Sequence, residues 1–420
     1  MSGITGETGP PDAGRPLLTT VAIIASCAAF AVIGAVQALY GPAIPALREE
    51  FGISPAVAGL SLSAHFVGAL LGVLIYHLLR GRLNNRVLLG GSYVLMAAGA
   101  VLFAFSPSWI PALGGTFVIG LGFGGIDYGL NQLFSIAFGH RSTAMLNLLN
   151  GHFGVGAIAG PALIGWLGAE HYPEMFVGIA VVCLFILFTL GGVAAREPEP
   201  VAAQDTKAGG SRVMPVIAAF IGVYVLHVAI ETGVGGWEPT HLEAVGYGAA
   251  TAASATSAYW AAMTIGRFVV APLSLRWSAP SILTVCCAGM AGFLLLATVP
   301  AFAPYAYFGV GLMIAPIFPT CLPWLNRAVP SVAAAGAYVI AASMIGGVAF
   351  PPLLGGVIDM MDITMVPWVL SVLAAACAVL SLWLRRKAPD PDPGAAVPGP
   401  RGGGRPDTII ADGIHGTHGT

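Results

Sequence analysis

Long apolar runs alternate with short polar breaks along nearly the whole chain. Runs of about 20 apolar residues, enough to cross a bilayer as helix, fall near 18–40, 56–79, 87–105, 110–138, 143–168 and 174–194. A second set of six falls near 213–236, 250–272, 280–300, 303–325, 332–358 and 365–384. Residues 195–212 between the sets are polar and rich in Pro, Gly and Ala, as a linker is. The stretch after Leu384 has no apolar face. This pattern predicts an all-α polytopic membrane protein of twelve transmembrane helices in two six-helix pseudo-repeats. Its expected parts are a disordered N-terminus (1–17), a first bundle (18–194), a linker (195–212), a second bundle (213–384) and a disordered tail (385–420).

Composition agrees: 57% of residues are hydrophobic and 9% charged, against about 25% charged in a soluble domain. The 57 glycines and 31 prolines suit helices that pack closely and kink in lipid. The six cysteines all lie in apolar runs, without metal or disulfide spacing. No metalloprotease, nucleophile-elbow or phosphate-loop motif occurs, so neither an enzyme nor an ATP-driven pump is expected. Nothing calls for a cofactor or nucleic acid; the expected partners are the bilayer and a small solute, with the chain a monomer.

Charge placement sets orientation. Fifteen of the 17 Lys and Arg fall in the termini or even-numbered connections, while Arg48 lies on the other side and Arg267 within a span. By the positive-inside tendency both termini are cytoplasmic, in a multi-pass cell-membrane protein.

An internal repeat organises the rest. A shift of 194 positions places Gln37 on Glu231, Pro45 on Pro239, Phe66 on Trp260, Gly72 on Gly266 and Arg82 on Arg276. Two six-span halves in parallel repeat suit alternating access to a site between them.

Few polar groups lie inside the spans. Asp127 and Asn131 are four residues apart, on one helical face. A charge at bilayer depth costs about 2.5–3.5 kcal/mol on insertion scales. Asp127 therefore either handles a proton or pairs with a packing donor; Asn131 either meets a hydroxyl-rich ligand or satisfies backbone. Asn147 and Asn150 follow in the next span. Glu231 has His227 one turn before it, a pair able to share a proton. Trp237 falls in a Gly-Gly-Trp-Glu-Pro stretch that reads as a helix break at the outer end, where an aromatic serves as a sugar-stacking surface or an interfacial belt residue. His65 and His77 read as packing histidines.

These residues carry a resemblance. The stretch Gly120-x-Gly122-x-Gly124-Gly125-Ile126-Asp127-x-x-x-Asn131, then Arg141 through Asn147, Asn150 and Gly160-Pro161, with Glu231 through Trp237, resembles the fucose permease-like branch of the major facilitator superfamily. The resemblance implies that Asp127 takes part in sugar and proton binding, and that the cargo is a small polar solute, a sugar, moved with protons. Sodium is the alternative coupling ion. Two departures stand out: Gly41 occupies the place of an acid near the end of span 1, and Asn150 stands where His or Gln is common. Gln37, one turn before Gly41, is the nearest polar group.

Gly72 with Arg82, and Gly266 and Arg267 with Arg276, resemble a weakened loop 2–3 motif of that superfamily and its second-half counterpart. They read as gate and scaffold, with Arg267 snorkelling to the interface, and Arg141 belongs to the same cytoplasmic set. Gly160 and Pro161 read as hinge and packing, echoed in span 11; the same stretch resembles an antiporter motif, so a proton-driven exporter is the competing expectation.

Overall fold

The computed structural model describes residues 16–138, 142–195, 213–273, 276–329 and 335–388. Arg141, most of the linker and both tails lie outside them. Thirteen α-helices follow one another: α1 Thr20–Phe51, α2 Pro55–Leu79, α3 Asn85–Ala104, α4 Trp109–Ala137, α5 Ser142–Leu167, α6 Tyr172–Leu187, α7 Met214–Ala244, α8 Ala249–Leu273, α9 Ala279–Leu296, α10 Ala303–Ile314, α11 Ile317–Ala328, α12 Ala335–Met360 and α13 Val366–Lys387. Helices α10 and α11 form one span, broken at Pro316, which has no N–H to give the ladder. Twelve crossings result. Eleven of them are long and apolar enough by composition; α8 is as long but dilutes its apolar residues with Ala, Ser and Thr.

Local chemistry starts and stops the helices. The Ser54 hydroxyl accepts from Val57 N at 3.4 Å, and Pro55 occupies the first turn of α2. Asn84 caps α3 through Arg86 N at 2.7 Å. Gly52 closes α1 at φ 62°, a left-handed value that a side chain disfavours.

α7 corrects the sequence reading. The helix runs unbroken through Gly235, Gly236 and Pro239 to Ala244. A bundle interior can re-satisfy the carbonyl that a proline orphans, so this stretch does not break the span. α1 likewise carries Pro42 and Pro45 inside one helix.

The end of the bundle holding the start of α1 and the finish of α13 is called here the terminal end; the opposite end, with the α1–α2 turn, is the distal end. Arg80, Arg82, Arg86, Arg276, Arg385, Arg386 and Lys387 lie at the terminal end, Arg48 at the distal end.

Helices α1–α6 bury one apolar core and α7–α13 another. Equivalent contacts recur in both. A Cβ on Gly72 would strike the Leu121 carbonyl of α4, and one on Gly266 would meet Ala315 at the end of α10 at 2.7 Å. Both residues of the second pair lie 194 positions after those of the first. Gly72 and Gly266 thus allow close helix approach, as small residues do in lipid.

The halves meet toward the distal end. Gly41 of α1 lies against the Gly235 carbonyl of α7. The Ser63 hydroxyl donates to Val348 O at 2.5 Å, and Ser257 to Ile158 O at 2.8 Å. Gly59 lies against Pro351, and Gly355 against Pro55 and Ala56. The Asp359 carboxylate accepts from Ser54 Oγ at 2.9 Å and Ala56 N at 3.1 Å. Toward the terminal end the packing stays within halves: α4 against α1, α2, α3 and α5, and α10 and α11 against second-half helices.

Candidate functional site

On the terminal side of that seam lie Gln37, Asp127, Asn131, Asn150, His227 and Glu231. Gln37 and Glu231 each sit four residues on the terminal side of the touching glycines Gly41 and Gly235. At that spacing they share the faces that meet at the crossing, so they lie just beneath it. Glu231 Oε2 is 3.5 Å from His227 Nε2, with side chains 17% and 6% exposed. Gln37 is half-buried.

In the first half a relay of amides leads away from Asp127. Asn131 Nδ2 donates to Asp127 Oδ1 at 3.0 Å and to its carbonyl at 3.0 Å. Asn150 Nδ2 of α5 in turn donates to Asn131 Oδ1 at 3.2 Å. All three side chains are half-buried, so the relay is fixed by its own bonds yet open to a ligand. At 1.5 Å per residue Asp127 lies roughly 15 Å from the terminal end of α4. The relay therefore sits nearer that end than Glu231 does. The side chain of Asn147 is outside the described set.

Arg267 is exposed on α8, six residues from its terminal end. Its guanidinium reaches Met263 Sδ at 3.8 Å and interacts electrostatically with Glu231 and Tyr259. Trp237 is corrected: it is fully buried, with its indole N–H unpaired, rather than at a mouth or in an aromatic belt. The unbroken helix carries it into the second core.

A Cβ on Gly160 would meet Ala35 O of α1 at 3.0 Å, with Pro161 inside α5, and one on Gly156 would strike the Ala31 carbonyl. Arg82 and Arg276 are exposed at the terminal end.

Several neighbours escaped the sequence reading. Trp260 lies against Gly235 beneath the α1–α7 crossing and edge-on to Phe153 at 6.4 Å, its N–H unpaired. Its repeat mate Phe66 covers Gly347. Both rings are buried, and their 194-residue correspondence was the signal. His77 bonds Tyr128 at 2.7 Å, next to Arg80, which reaches Tyr128 at 3.4 Å and, with the Gln132 amide turned to present its oxygen, that oxygen at 3.2 Å. His65 bonds Tyr40 at 3.3 Å in the core, a packing role.

Gly41 explains its own departure. A Cβ there would sit on the Gly235 carbonyl, so the seam leaves no room for an acid at this position.

Comparison with known proteins gives the context. Partial matches include an uncharacterized MFS-type transporter of Mycobacterium tuberculosis H37Rv, 29% identical over 48% of this chain and 31% of its own. The sodium-dependent glucose transporter 1A of Mus musculus is 28% identical over 35% of this chain and 36% of its own. These matches span about a third of the relatives' length. Among solved structures, the inward-open E. coli xylose transporter aligns with TM-score 0.70 and 12% identity over 87% of this chain and 95% of that one. The E. coli fucose:proton symporter aligns with TM-score 0.58 and 17% identity over 87% and 98%. At these identities the solved structures share the fold. A sequence model of the Major Facilitator Superfamily matches residues 26–330 and 220–410. Twelve crossings in two repeated halves, closed over polar groups by a glycine seam, and a family match across most of its length place this chain in the Major Facilitator Superfamily.

Proposed function

We propose that this transporter moves a small polar solute, a sugar, by alternating access coupled to protons, with both termini cytoplasmic in the cell membrane. The observation that carries the reading is the Asp127–Asn131–Asn150 relay, open to the space between the halves and facing that space together with Gln37, Glu231 and His227. Amides and carboxylates supply the donors and acceptors that a hydroxyl-rich solute needs. Similarity to proteins described as glucose, xylose and fucose transporters points the same way. In this reading Asp127 and Glu231 exchange the proton, Arg267 holds Glu231, and the distal glycine seam opens as the terminal end closes.

Reconstituted vesicles test it. With protein inserted in known orientation, an inward proton gradient is expected to drive accumulation of one labelled monosaccharide from a panel. A matched sodium gradient decides between coupling ions. Gradient-driven loss of solute would establish export instead and overturn the reading.

A further inference from the structure

α7 holds a third acid that the site above does not use. Glu238 is fully buried, and among the described residues its carboxylate has no donor but the Thr256 hydroxyl of α8. The hydroxyl facing it, Thr256 of α8, donates to Ala252 O at 3.3 Å. The other titratable groups around it are phenols. Tyr259 of α8 has no hydrogen-bond partner, and Tyr307 of α10 is engaged with His241 Nδ1 at 3.1 Å. His241 in turn faces Asp362, and Arg267 serves Glu231. No cation balances Glu238 among the described residues. An uncompensated carboxylate in such surroundings is strongly unfavourable, whereas the neutral acid asks only for ordinary hydrogen bonding.

A route to this group exists on the distal side. A cleft of about 300 Å³ between the halves is lined by Pro42 and Ile164 from the first half and Pro239, Glu243, Ala250 and Ala253 from the second. Pro239 is the next residue after Glu238, and Ala253 lies one turn before Thr256 on α8. The cleft thus ends beside the shell of the acid. Separating α1 and α5 from α7 and α8 would extend it to the carboxyl group.

We propose that Glu238 is a proton-binding site that holds its proton while the distal end is closed and releases it to cleft water when that end opens. On release the carboxyl O–H bond breaks, its electron pair stays on the carboxylate, and water takes the proton. The charged form is then solvated by the opened cleft. The site lies above the seam, separate from Asp127 and Glu231 below it. The proposal deepens the proton-coupled reading, but its first test is independent of that reading.

That test is infrared spectroscopy of the purified full-length protein in lipid nanodiscs at neutral pH. A carboxylic-acid C=O band is expected that shifts on carboxyl-¹³C labelling of glutamate, disappears in Glu238→Gln and persists in Asp127→Asn. Gln mimics the neutral acid, so Glu238→Gln is expected to fold and unfold thermally close to wild type. An unchanged band in Glu238→Gln, or failure of that variant to fold, overturns the proposal. In vesicles, Glu238→Gln is expected to lose gradient-driven accumulation about tenfold; equal accumulation overturns the coupling role. Should wild type accumulate nothing under a proton gradient, the proton-coupled reading falls and the infrared band alone decides Glu238.

Discussion

The carboxylate of Asp359 caps a helix in the other half of the chain: it accepts from Ser54 Oγ and Ala56 N at the start of α2, at 2.9 and 3.1 Å. A negative charge on the exposed amides of a helix N-terminus contributes about 0.3–1 kcal/mol, and up to about 2 in favourable geometry. This contact exists only while the distal end is closed.

Asp359→Asn removes the charge and keeps an acceptor. Distal opening is expected to rise about 3- to 10-fold, which corresponds to about 0.7–1.4 kcal/mol. A membrane-impermeant thiol reagent, applied to an introduced Ala253→Cys at the buried end of the cleft, reads it. All six native cysteines are buried, so background labelling is low. Unchanged labelling would remove Asp359 from the closure.

In the amide relay, Asn131 is the middle member and makes both side-chain links. Asn131→Ala is expected to weaken solute binding more than Asn150→Ala, by roughly tenfold against a few-fold, since it strands two neighbours. Ligand-induced thermal stabilisation measures both. The reverse order would show that the relay is not the binding surface.

Glu231 and Arg267 are expected to act as a pair. Glu231→Gln and Arg267→Gln should each weaken transport, and the double variant should lose less than their sum. The interaction should fall at about 0.5–3 kcal/mol. Strict additivity would mean that Arg267 does not serve Glu231.

Gly41→Asp restores the acid that the family resemblance implies, yet its Cβ runs into the Gly235 carbonyl. The expected result is a transporter held open distally, with high Ala253→Cys labelling and reduced turnover, not improved coupling. Gly41→Ala should show the same direction more weakly. Normal labelling in both would place the seam elsewhere.

Apolar length and the 194-residue repeat made the spans legible, and the pairs Gly72–Leu121 and Gly266–Ala315 repeat in space as the residues repeat in sequence. What stayed hidden depends on which way a side chain turns. Hydropathy reports depth, and helical spacing reports a face, but neither says which neighbour that face meets. No sequence rule brings Arg267 into electrostatic range of Glu231 on another helix. The Asn131–Asn150 bond joins two helices and left no trace in spacing. In α7 the Gly-Gly and Pro signals, reliable in water, were overridden by a packed interior that keeps the helix whole. Glu238 was hidden inside that supposed break.

The twin serine bonds, Ser63 to Val348 and Ser257 to Ile158, flank the α1–α7 crossing like matched struts. Both must part for the distal end to open, so the latch that holds it shut is doubled, as Ser63 and Ser257 lie 194 positions apart, whatever cargo the chain carries.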